Sequence, residues 1–186
     1  MWCKTYNRPI LFHDMATIYF AGGCFWGTEH FMKQIHGVTD TQVGYANSVV
    51  ENPSYSEVRT GNTKAVETVK VEYDPSIVGL DFLIKLFFLT IDPTISDRQG
   101  GDIGTQYRTG IYYTTEKQQE TIMSVIDSMR SDYDAPIVTE VMPIDNFYTA
   151  EEYHQDYLDK NPDGYCHVDP RLFSFAREAS RKDHWQ

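Results

Sequence analysis

Apolar and polar positions follow two different periods along the chain, and the changes between them predict the order of secondary structure. Alternating apolar residues, or short apolar runs bounded by turn residues, predict strands at 17–21, 38–46, 66–73, 108–113 and 137–142. Helical spacing of apolar residues predicts helices at 25–35, 80–91, 116–129 and 150–160. Thr115 is the expected N-cap of the third helix, and Asp92-Pro93 closes the second. The rest of the chain after residue 160 is expected to be irregular or to form short helix.

The first six regular elements come in the order strand, helix, strand, strand, helix, strand, which is that of the split βαβ unit. This order predicts an α+β fold, a ferredoxin-like two-layer α/β sandwich with a mainly antiparallel mixed sheet and an irregular C-terminal segment. No internal repeat, linker or low-complexity tract divides the chain. We therefore expect one domain over residues 1–186, with 1–15 as an extension and 161–186 as a C-terminal segment.

Composition and charge exclude several classes of function. The chain has 186 residues, of which 41% are hydrophobic, so it can bury a core and is not expected to be disordered. Its net charge of −11, without clustered Lys or Arg, argues against binding to nucleic acid or to an anionic membrane. No secretory signal is visible. We expect a cytoplasmic protein that is monomeric.

The cysteines do not form the pattern of a disulfide framework or of a metal site, and any disulfide between them is expected to be transient and catalytic. They stand far apart, at Cys3, Cys24 and Cys166, with no spacing typical of zinc ligands. Cys24 follows a predicted strand and two glycines and precedes a predicted helix, a position that stabilises a thiolate. Phe25 and Trp26 stand beside it and could wall an apolar cup. By local chemistry alone, Cys24 could equally be a small buried hydrophobic residue with core aromatics beside it.

The run Gly22-Gly23-Cys24-Phe25-Trp26-Gly27 is similar to the signature of the class A peptide methionine sulfoxide reductases. Further segments resemble that family in the same order and extend the resemblance from Thr17 to Cys166. They are Val43-Gly44-Tyr45, Asn52-Pro53-Ser54-Tyr55-Ser56-Glu57-Val58, Thr60-Gly61-Asn62-Thr63, Glu67, Tyr73-Asp74-Pro75, Asp97-Arg98-Gln99-Gly100, Asp102, Gly104-Thr105-Gln106-Tyr107-Arg108 and Asn161-Pro162-Asp163-Gly164-Tyr165-Cys166.

The resemblance implies a site that holds the two ends of a sulfoxide separately. Phe25 and Trp26 would hold the methyl group of the substrate. Tyr55 and Tyr107 would donate hydrogen bonds to its oxygen, and Glu67 would be the acid beside that oxygen. The chemistry agrees, because a sulfoxide oxygen leaves poorly until it is protonated, and a carboxyl in a dry aromatic pocket has a raised pKa. Without the resemblance, Glu67 would be interpreted as a solvated strand residue and the tyrosines as packing residues.

The resemblance also implies a redox cycle. Cys24 would be the nucleophile, and its attack would leave methionine and a sulfenic acid on Cys24. Cys166, in the C-terminal segment, would resolve this acid as a disulfide, which thioredoxin or another external dithiol would reduce. Asp102 would organise the site with bound water. The implied substrate is the S epimer of methionine sulfoxide in proteins, with the free amino acid as a further candidate, and no cofactor or metal is expected. Cys3 matches nothing in the pattern and is expected to be dispensable.

Two positions depart from the commoner pattern of the family. Lys64-Ala65 stands where a Gly-His pair is frequent, and Ile103 stands where His is frequent after Asp102. Neither departure removes a proposed catalytic group. Two other functions stay open at this point: another thiol enzyme, such as a peroxidase or a disulfide reductase, and a noncatalytic module that binds methionine-containing peptides. The absence of a Cys-x-x-Cys pair disfavours the disulfide reductase.

Overall fold

The computed structural model of the protein describes residues 15–179, and the structural statements below concern this part of the chain. The strands are β1 (Ala16–Gly22), β2 (Val38–Ala46), β3 (Val66–Tyr73), β4 (Arg98–Gln99), β5 (Asp102–Ile103), β6 (Thr109–Tyr113), β7 (Glu140–Pro143) and β8 (Phe147–Thr149). The helices are α1 (Phe25–Met32), α2 (Tyr55–Val58), α3 (Leu80–Phe88), α4 (Glu116–Met129), α5 (Tyr157–Lys160) and α6 (Pro170–Ala179). Cys3 lies outside the described residues.

Six of the strands form one sheet in the order β7-β6-β1-β3-β2-β8. The four central strands are paired antiparallel throughout, and the chain passes from β1 through α1 to β2 with β3 inserted between these two strands. This is the split βαβ arrangement, so the predicted ferredoxin-like sandwich is confirmed. The sheet is mixed because β7 pairs parallel to β6 at one edge. β4 and β5 form a separate small hairpin.

The core lies between one face of the sheet and the helices. Phe20 of β1 is fully buried, pairs in register with Val69 of β3, and packs its ring 4.8 Å from that of Phe87 of α3. The same buried cluster includes Phe31 of α1 and Ile122 of α4. The alternation that predicted these strands therefore points their apolar side chains at the helix layer. No helix within residues 15–179 combines the length and the apolar character needed to cross a bilayer.

The prediction of one helix at 150–160 was wrong. The segment contains a 3₁₀ turn at Glu152–His154 and the separate short helix α5, divided by Asp156 in the left-handed region at φ 53°. The backbone N–H of Asp156 donates to the buried carboxylate of Glu29 at 3.0 Å. This long-range contact stabilises the interruption between the 3₁₀ turn and α5. Periodicity within the segment does not report such a contact.

Other differences lie at the ends of elements and in the connections. The predicted strand at 137–142 is observed as β7, and the predicted helices at 25–35 and 80–91 end at Met32 and Phe88. The predicted loop between β2 and β3 contains the short helix α2. Its N-terminus is stabilised by a capping box, in which the side chains of Ser54 and Glu57 each bond the backbone N–H of the other residue. The edge strand β8 was missed, and the C-terminal segment expected to be irregular or short helix contains the ten-residue helix α6.

Candidate active site

Cys24 lies at the turn between β1 and α1 and is 6% exposed. Gly23 makes this turn possible, because its φ of +80° is in the left-handed region and a Cβ there would stand 2.6 Å from the Gln99 side chain. The backbone N–H of Trp26, in the first turn of α1, hydrogen-bonds the Cys24 sulfur and lowers its pKa. Burial and the charge of Glu67 outweigh this effect and raise the pKa of the Cys24 thiol well above its ordinary value. The helix start therefore contributes as expected, but the resting site favours the thiol over the thiolate.

Glu67 places a carboxyl group close enough to this thiol for its charge to raise the pKa of the thiol. It lies on β3, opposite Tyr45 of β2, and its side chain is fully shielded from solvent. One of its oxygens, Oε2, accepts a hydrogen bond from the N–H of Phe25 at 3.2 Å. Burial raises the pKa of Glu67 to about 8, and the charge of Asp102 adds to this effect, while the Phe25 bond opposes it. Glu67 is therefore mostly protonated at neutral pH, as an acid catalyst requires.

Tyr55 and Tyr107 come together across the site from two separate loops. Tyr55 begins α2, and Tyr107 ends a 3₁₀ turn at Thr105–Tyr107. Their hydroxyl groups hydrogen-bond each other, and burial followed by the charge of Glu67 raises the pKa of both. Both phenols therefore stay protonated at neutral pH and can donate hydrogen bonds.

Asp102 lies on β5, and its Oδ2 accepts a hydrogen bond from the hydroxyl of Tyr165 at 2.9 Å. This contact, after burial, raises the pKa of Tyr165 to about 12. The charge of Asp102 also reaches Cys24 and Glu67 and raises the pKa of both. Asp102 therefore joins the β4–β5 hairpin to the segment that carries Cys166.

Phe25 and Trp26 form aromatic walls next to the thiol. Phe25 is buried, with its ring centroid 6.0 Å from that of Tyr45. Trp26 is half-buried and stacks on Tyr157 of α5, with the centroids 3.7 Å apart and the planes at 12°. Its indole N–H donates to Nδ1 of His154 at 3.1 Å, so the ring is held both by its face and by its edge.

His154 is a site residue that sequence reasoning missed. It is 1% exposed, and its ring lies 5.1 Å from that of Phe25 and 4.7 Å from that of Tyr55. Burial lowers its pKa, so it is neutral at pH 7, and Nδ1 accepts from Trp26. Nε2 has no hydrogen-bond partner in the described part of the chain. Its position in a segment with helical periodicity made it indistinguishable from a core histidine.

Glu29 and Glu151 were also missed, and both hold parts of the site in place. Glu151 accepts from the N–H of Tyr55 at 2.8 Å and from the hydroxyl of Tyr45 at 2.7 Å. Glu29, one turn after Trp26 on α1, is 2% exposed and accepts from the N–H of Asp156 at 3.0 Å. Burial, followed by the charge of Asp156, raises the pKa of Glu29 to about 7. The only sequence signal was their polarity within otherwise apolar patterns.

Cys166 is half-buried and lies against the first turn of α1. A Cβ added at Gly27 would stand 2.9 Å from its sulfur, so this close approach requires glycine. Both Cys24 and Cys166 are free thiols, and Cys166 is near enough to raise the pKa of Cys24 electrostatically. Burial raises the pKa of Cys166 itself.

Of the residues that depart from the family pattern, Ala65 is buried in the core, whereas Lys64 and Ile103 are exposed. Lys64 is exposed with φ 59°, and its carbonyl accepts from Nη2 of Arg108 at 3.0 Å. Ile103 is 70% exposed next to Asp102. In the part of the chain that the structure describes, no three His, Cys, Asp or Glu side chains come together in a metal-binding group.

The family profile described as "Peptide methionine sulfoxide reductase" matches residues 16–185. The chain belongs to this family. The resemblance of its motifs is therefore confirmed, and so is the enzyme class, an oxidoreductase acting on methionine sulfoxide.

Individual members of the peptide methionine sulfoxide reductase family are similar over most of their length. The chain is 54% identical over 154 residues to the peptide methionine sulfoxide reductase MsrA of Mycoplasma genitalium, covering 83% of this chain and 98% of that protein. The reduced form of Mxr1 from Saccharomyces cerevisiae superposes with a TM-score of 0.80 at 38% identity, covering 83% of this chain and 91% of Mxr1. Mxr1 in complex with Trx2 superposes with a TM-score of 0.56 at 26% identity, covering 77% and 84%.

Proposed function

We propose that the protein reduces the S epimer of methionine sulfoxide in proteins through a sulfenic acid on Cys24 and a Cys24–Cys166 disulfide, with thioredoxin as the reductant. The observation that carries this proposal is the buried, protonated Glu67 beside Cys24, joined to the nucleophile's helix by the Phe25 N–H bond. A sulfoxide needs a proton at its oxygen and a thiolate at its sulfur at the same moment. This pair supplies both.

The first step transfers oxygen from the substrate sulfur to Cys24. Glu67 protonates the sulfoxide oxygen while Tyr55 and Tyr107 donate hydrogen bonds to it. Cys24 gives its thiol proton to the Glu67 carboxylate, and its sulfur bonds to the substrate sulfur. The protonated oxygen then moves from the substrate sulfur to the Cys24 sulfur, and the bond between the two sulfurs breaks to release methionine. When the substrate's S–O bond has broken, the Cys24 sulfur has been oxidised by two electrons and the substrate sulfur reduced by two. The products are methionine and a Cys24 sulfenic acid, and Glu67 has recovered its proton.

The raised pKa of Cys24 supports a coupling of the two proton movements. While Glu67 is protonated, the repulsion that its carboxylate would exert on a thiolate is absent. A substrate whose oxygen accepts a hydrogen bond from Glu67 also fills the dry pocket with a polar group. The thiolate then forms where it can react at once, which limits oxidation of Cys24 without substrate.

The substrate methyl group fits the aromatic walls. Phe25 and Trp26 stand next to the sulfur, and Trp26 is fixed by Tyr157 and His154. An apolar cup excludes the oxygen, so the methyl group and the oxygen of the sulfoxide occupy different sides of the site. This handedness supports selection of one epimer at sulfur.

In the second step Cys166 attacks the Cys24 sulfenic acid. The Cys166 thiol loses its proton, a sulfur–sulfur bond forms, and the Cys24 hydroxyl leaves as water. The closeness of Cys166 to Gly27 supports this role. An external dithiol then exchanges with the disulfide and restores both thiols. The yeast relative Mxr1 forms a complex with the thioredoxin Trx2, which supports thioredoxin as that dithiol here. Asp102, bonded to Tyr165, is assigned to organising the site with bound water.

A single-turnover experiment tests the proposal. Wild type, Cys24→Ser and Cys166→Ser are mixed with each epimer of methionine sulfoxide without reductant, and methionine is counted per enzyme. We expect no methionine from Cys24→Ser and about one equivalent from Cys166→Ser, with the S epimer only. A non-reducing peptide map of wild type should contain a Cys24–Cys166 bridge. Methionine from Cys24→Ser would exclude the mechanism, and peptide binding without reduction by wild type would indicate a binding module instead.

We also propose a cytoplasmic, monomeric enzyme that needs no bound cofactor. The three widely spaced cysteines, which form no disulfide framework pattern, support a reducing compartment. Light scattering behind gel filtration checks the monomer, and cell fractionation checks the compartment.

A further inference from the structure

A polar groove of about 370 Å³ opens beside the two oxygen-binding tyrosines. One wall is formed by residues 59–62, directly after α2 in the chain. The other is formed by residues 103–106, from the end of β5 into the 3₁₀ turn. We call it the Arg59 groove, and its principal lining residues are Arg59, Thr60, Asn62, Ile103, Thr105 and Gln106.

The Arg59 groove adjoins the two tyrosines of the catalytic site. The Arg59 guanidinium lies 5.8 Å from the centre of the Tyr55 ring, and its charge lowers the pKa of that tyrosine. Gln106 directly precedes Tyr107. A Cβ at Gly61 would stand 3.2 Å from Oγ1 of Thr105, so the two walls approach each other closely. A peptide whose sulfoxide lies between the two tyrosines therefore has this groove next to it.

The charge of the groove is opposite to that of the molecule. The chain carries a net charge of −11. Among the described residues that line the groove, however, the single charged side chain is the positive Arg59. Arg59 has no ion-pair partner in residues 15–179. The neighbouring acid Glu57 is engaged by Ser54, whose N–H and hydroxyl donate to it at 2.8 and 2.7 Å. The donors of Arg59 are therefore available to a ligand.

We propose that the Arg59 groove is a subsite for an acidic side chain that neighbours the methionine sulfoxide in a peptide substrate. A guanidinium binds a carboxylate through paired N–H donors, and it stays charged at every physiological pH. The amide of Asn62 and the hydroxyl of Thr105 can bond the peptide backbone. An extended peptide advances about 3.3 Å per residue, which brings the next one or two side chains from the tyrosines to the groove. The proposal rests on the function proposed above.

The test compares matched peptides on matched variants. Blocked pentapeptides carry one methionine sulfoxide of S configuration, followed by Asp, Asn or Lys. They are assayed with dithiothreitol on wild type, Arg59→Gln and the control Lys85→Gln, which removes the same charge from an exposed position on α3. We expect wild type to reduce the Asp peptide with a kcat/KM about fivefold above that of the Asn peptide, the size of one exposed ion pair. High salt should reduce this ratio.

The comparison within each variant is the ratio of kcat/KM for the Asp peptide to kcat/KM for the Asn peptide. Because a partly misfolded variant loses activity toward both peptides alike, this ratio does not depend on the fraction that is folded. It should fall to about one in Arg59→Gln and stay at its wild-type value in Lys85→Gln. A wild-type ratio of one, or a ratio that survives in Arg59→Gln, would overturn the subsite. If no peptide is reduced at all, it is the proposed function that fails, and the two failures are therefore distinguishable.

Discussion

Replacing Glu67 by Gln should make the protein more stable at alkaline pH while removing most of its activity. The carboxyl is fully shielded from solvent, and burial raises its pKa to about 8. Glutamine has nearly the same shape and keeps an oxygen that can accept from the N–H of Phe25, a bond of 3.2 Å in the native protein. The substitution therefore removes the titration and leaves the packing.

The sign of the stability change follows from proton linkage. The folded protein holds the Glu67 proton up to about pH 8, whereas an unfolded chain releases it at the ordinary glutamate pKa, near 4.3. The folded state then binds more protons at this group than the unfolded state, so the contribution of Glu67 to stability is largest at low pH and falls as the pH rises from about 4.3 to about 8. Above about pH 8 both states have lost the proton and the contribution is constant.

Between the unfolded and folded pKa values of Glu67, its contribution to the free energy of unfolding falls by about 1.4 kcal/mol per pH unit. Relative to wild type, Glu67→Gln should gain about 3 to 4 kcal/mol between pH 5 and pH 7.5, and about 5 kcal/mol at most above pH 8. Any cost of the extra amide N–H is the same at each pH, so it shifts the whole curve without changing its slope.

Urea unfolding at pH 5, 7 and 8.5 measures the difference directly. A difference between the variant and wild type that is constant across these values would refute the assignment of a buried, protonated acid. Activity supplies the second readout, because loss of a general acid lowers the rate by about 10²–10⁴. Wild-type turnover should decline above pH 8, where Glu67 ionises. Turnover that rises through pH 9 would contradict its role as the proton donor.

Three further outcomes concern Glu29, Gly27 and Cys3. Glu29→Ala removes the acceptor of the 3.0 Å bond from Asp156 N–H, so we expect KM to rise several-fold because the turn between His154 and Tyr157 loosens around Trp26. Glu29→Gln keeps an acceptor and should restore KM in steady-state assays; equal effects in both variants would contradict this. Gly27→Ala would place a Cβ 2.9 Å from the Cys166 sulfur, so the first equivalent of methionine should still form while disulfide formation, followed by thiol titration, slows about tenfold. Cys3→Ser should leave thioredoxin-dependent turnover unchanged, and a loss of recycling there would reassign the resolving thiol.

Much of the site was predictable because its residues stand in short motifs with local geometry. Cys24 between a strand, two glycines and a helix start was read directly from adjacent residues, and the structure has the same turn. The placement of Glu67 in a dry site was implied by the family resemblance, because a glutamate on a strand is by itself expected to be solvated. The thiolate expected at the helix start was a weaker inference, because the sequence gives no measure of burial, and burial here dominates the pKa of Cys24.

The residues that reasoning from sequence missed all act across long distances in the chain. His154 meets Trp26 through a 3.1 Å hydrogen bond, and Glu29 holds the turn at Asp156. In the sequence each of these polar residues is one member of a helical pattern. Their partners are decided by how α1 packs against the C-terminal segment, and no local period encodes that packing.

The sequence by itself determined the order of the first six predicted elements and with it the ferredoxin-like sandwich, and it singled out Cys24 as the candidate thiol, because periodicity, turn residues and short motifs are local properties. Only the tertiary structure brought Cys166 against Gly27 and closed the acid, the phenols and the aromatic walls around Cys24. The tertiary structure also decided the pKa of each group in the site, since a pKa depends on the solvent and charge that surround a group after the chain has folded.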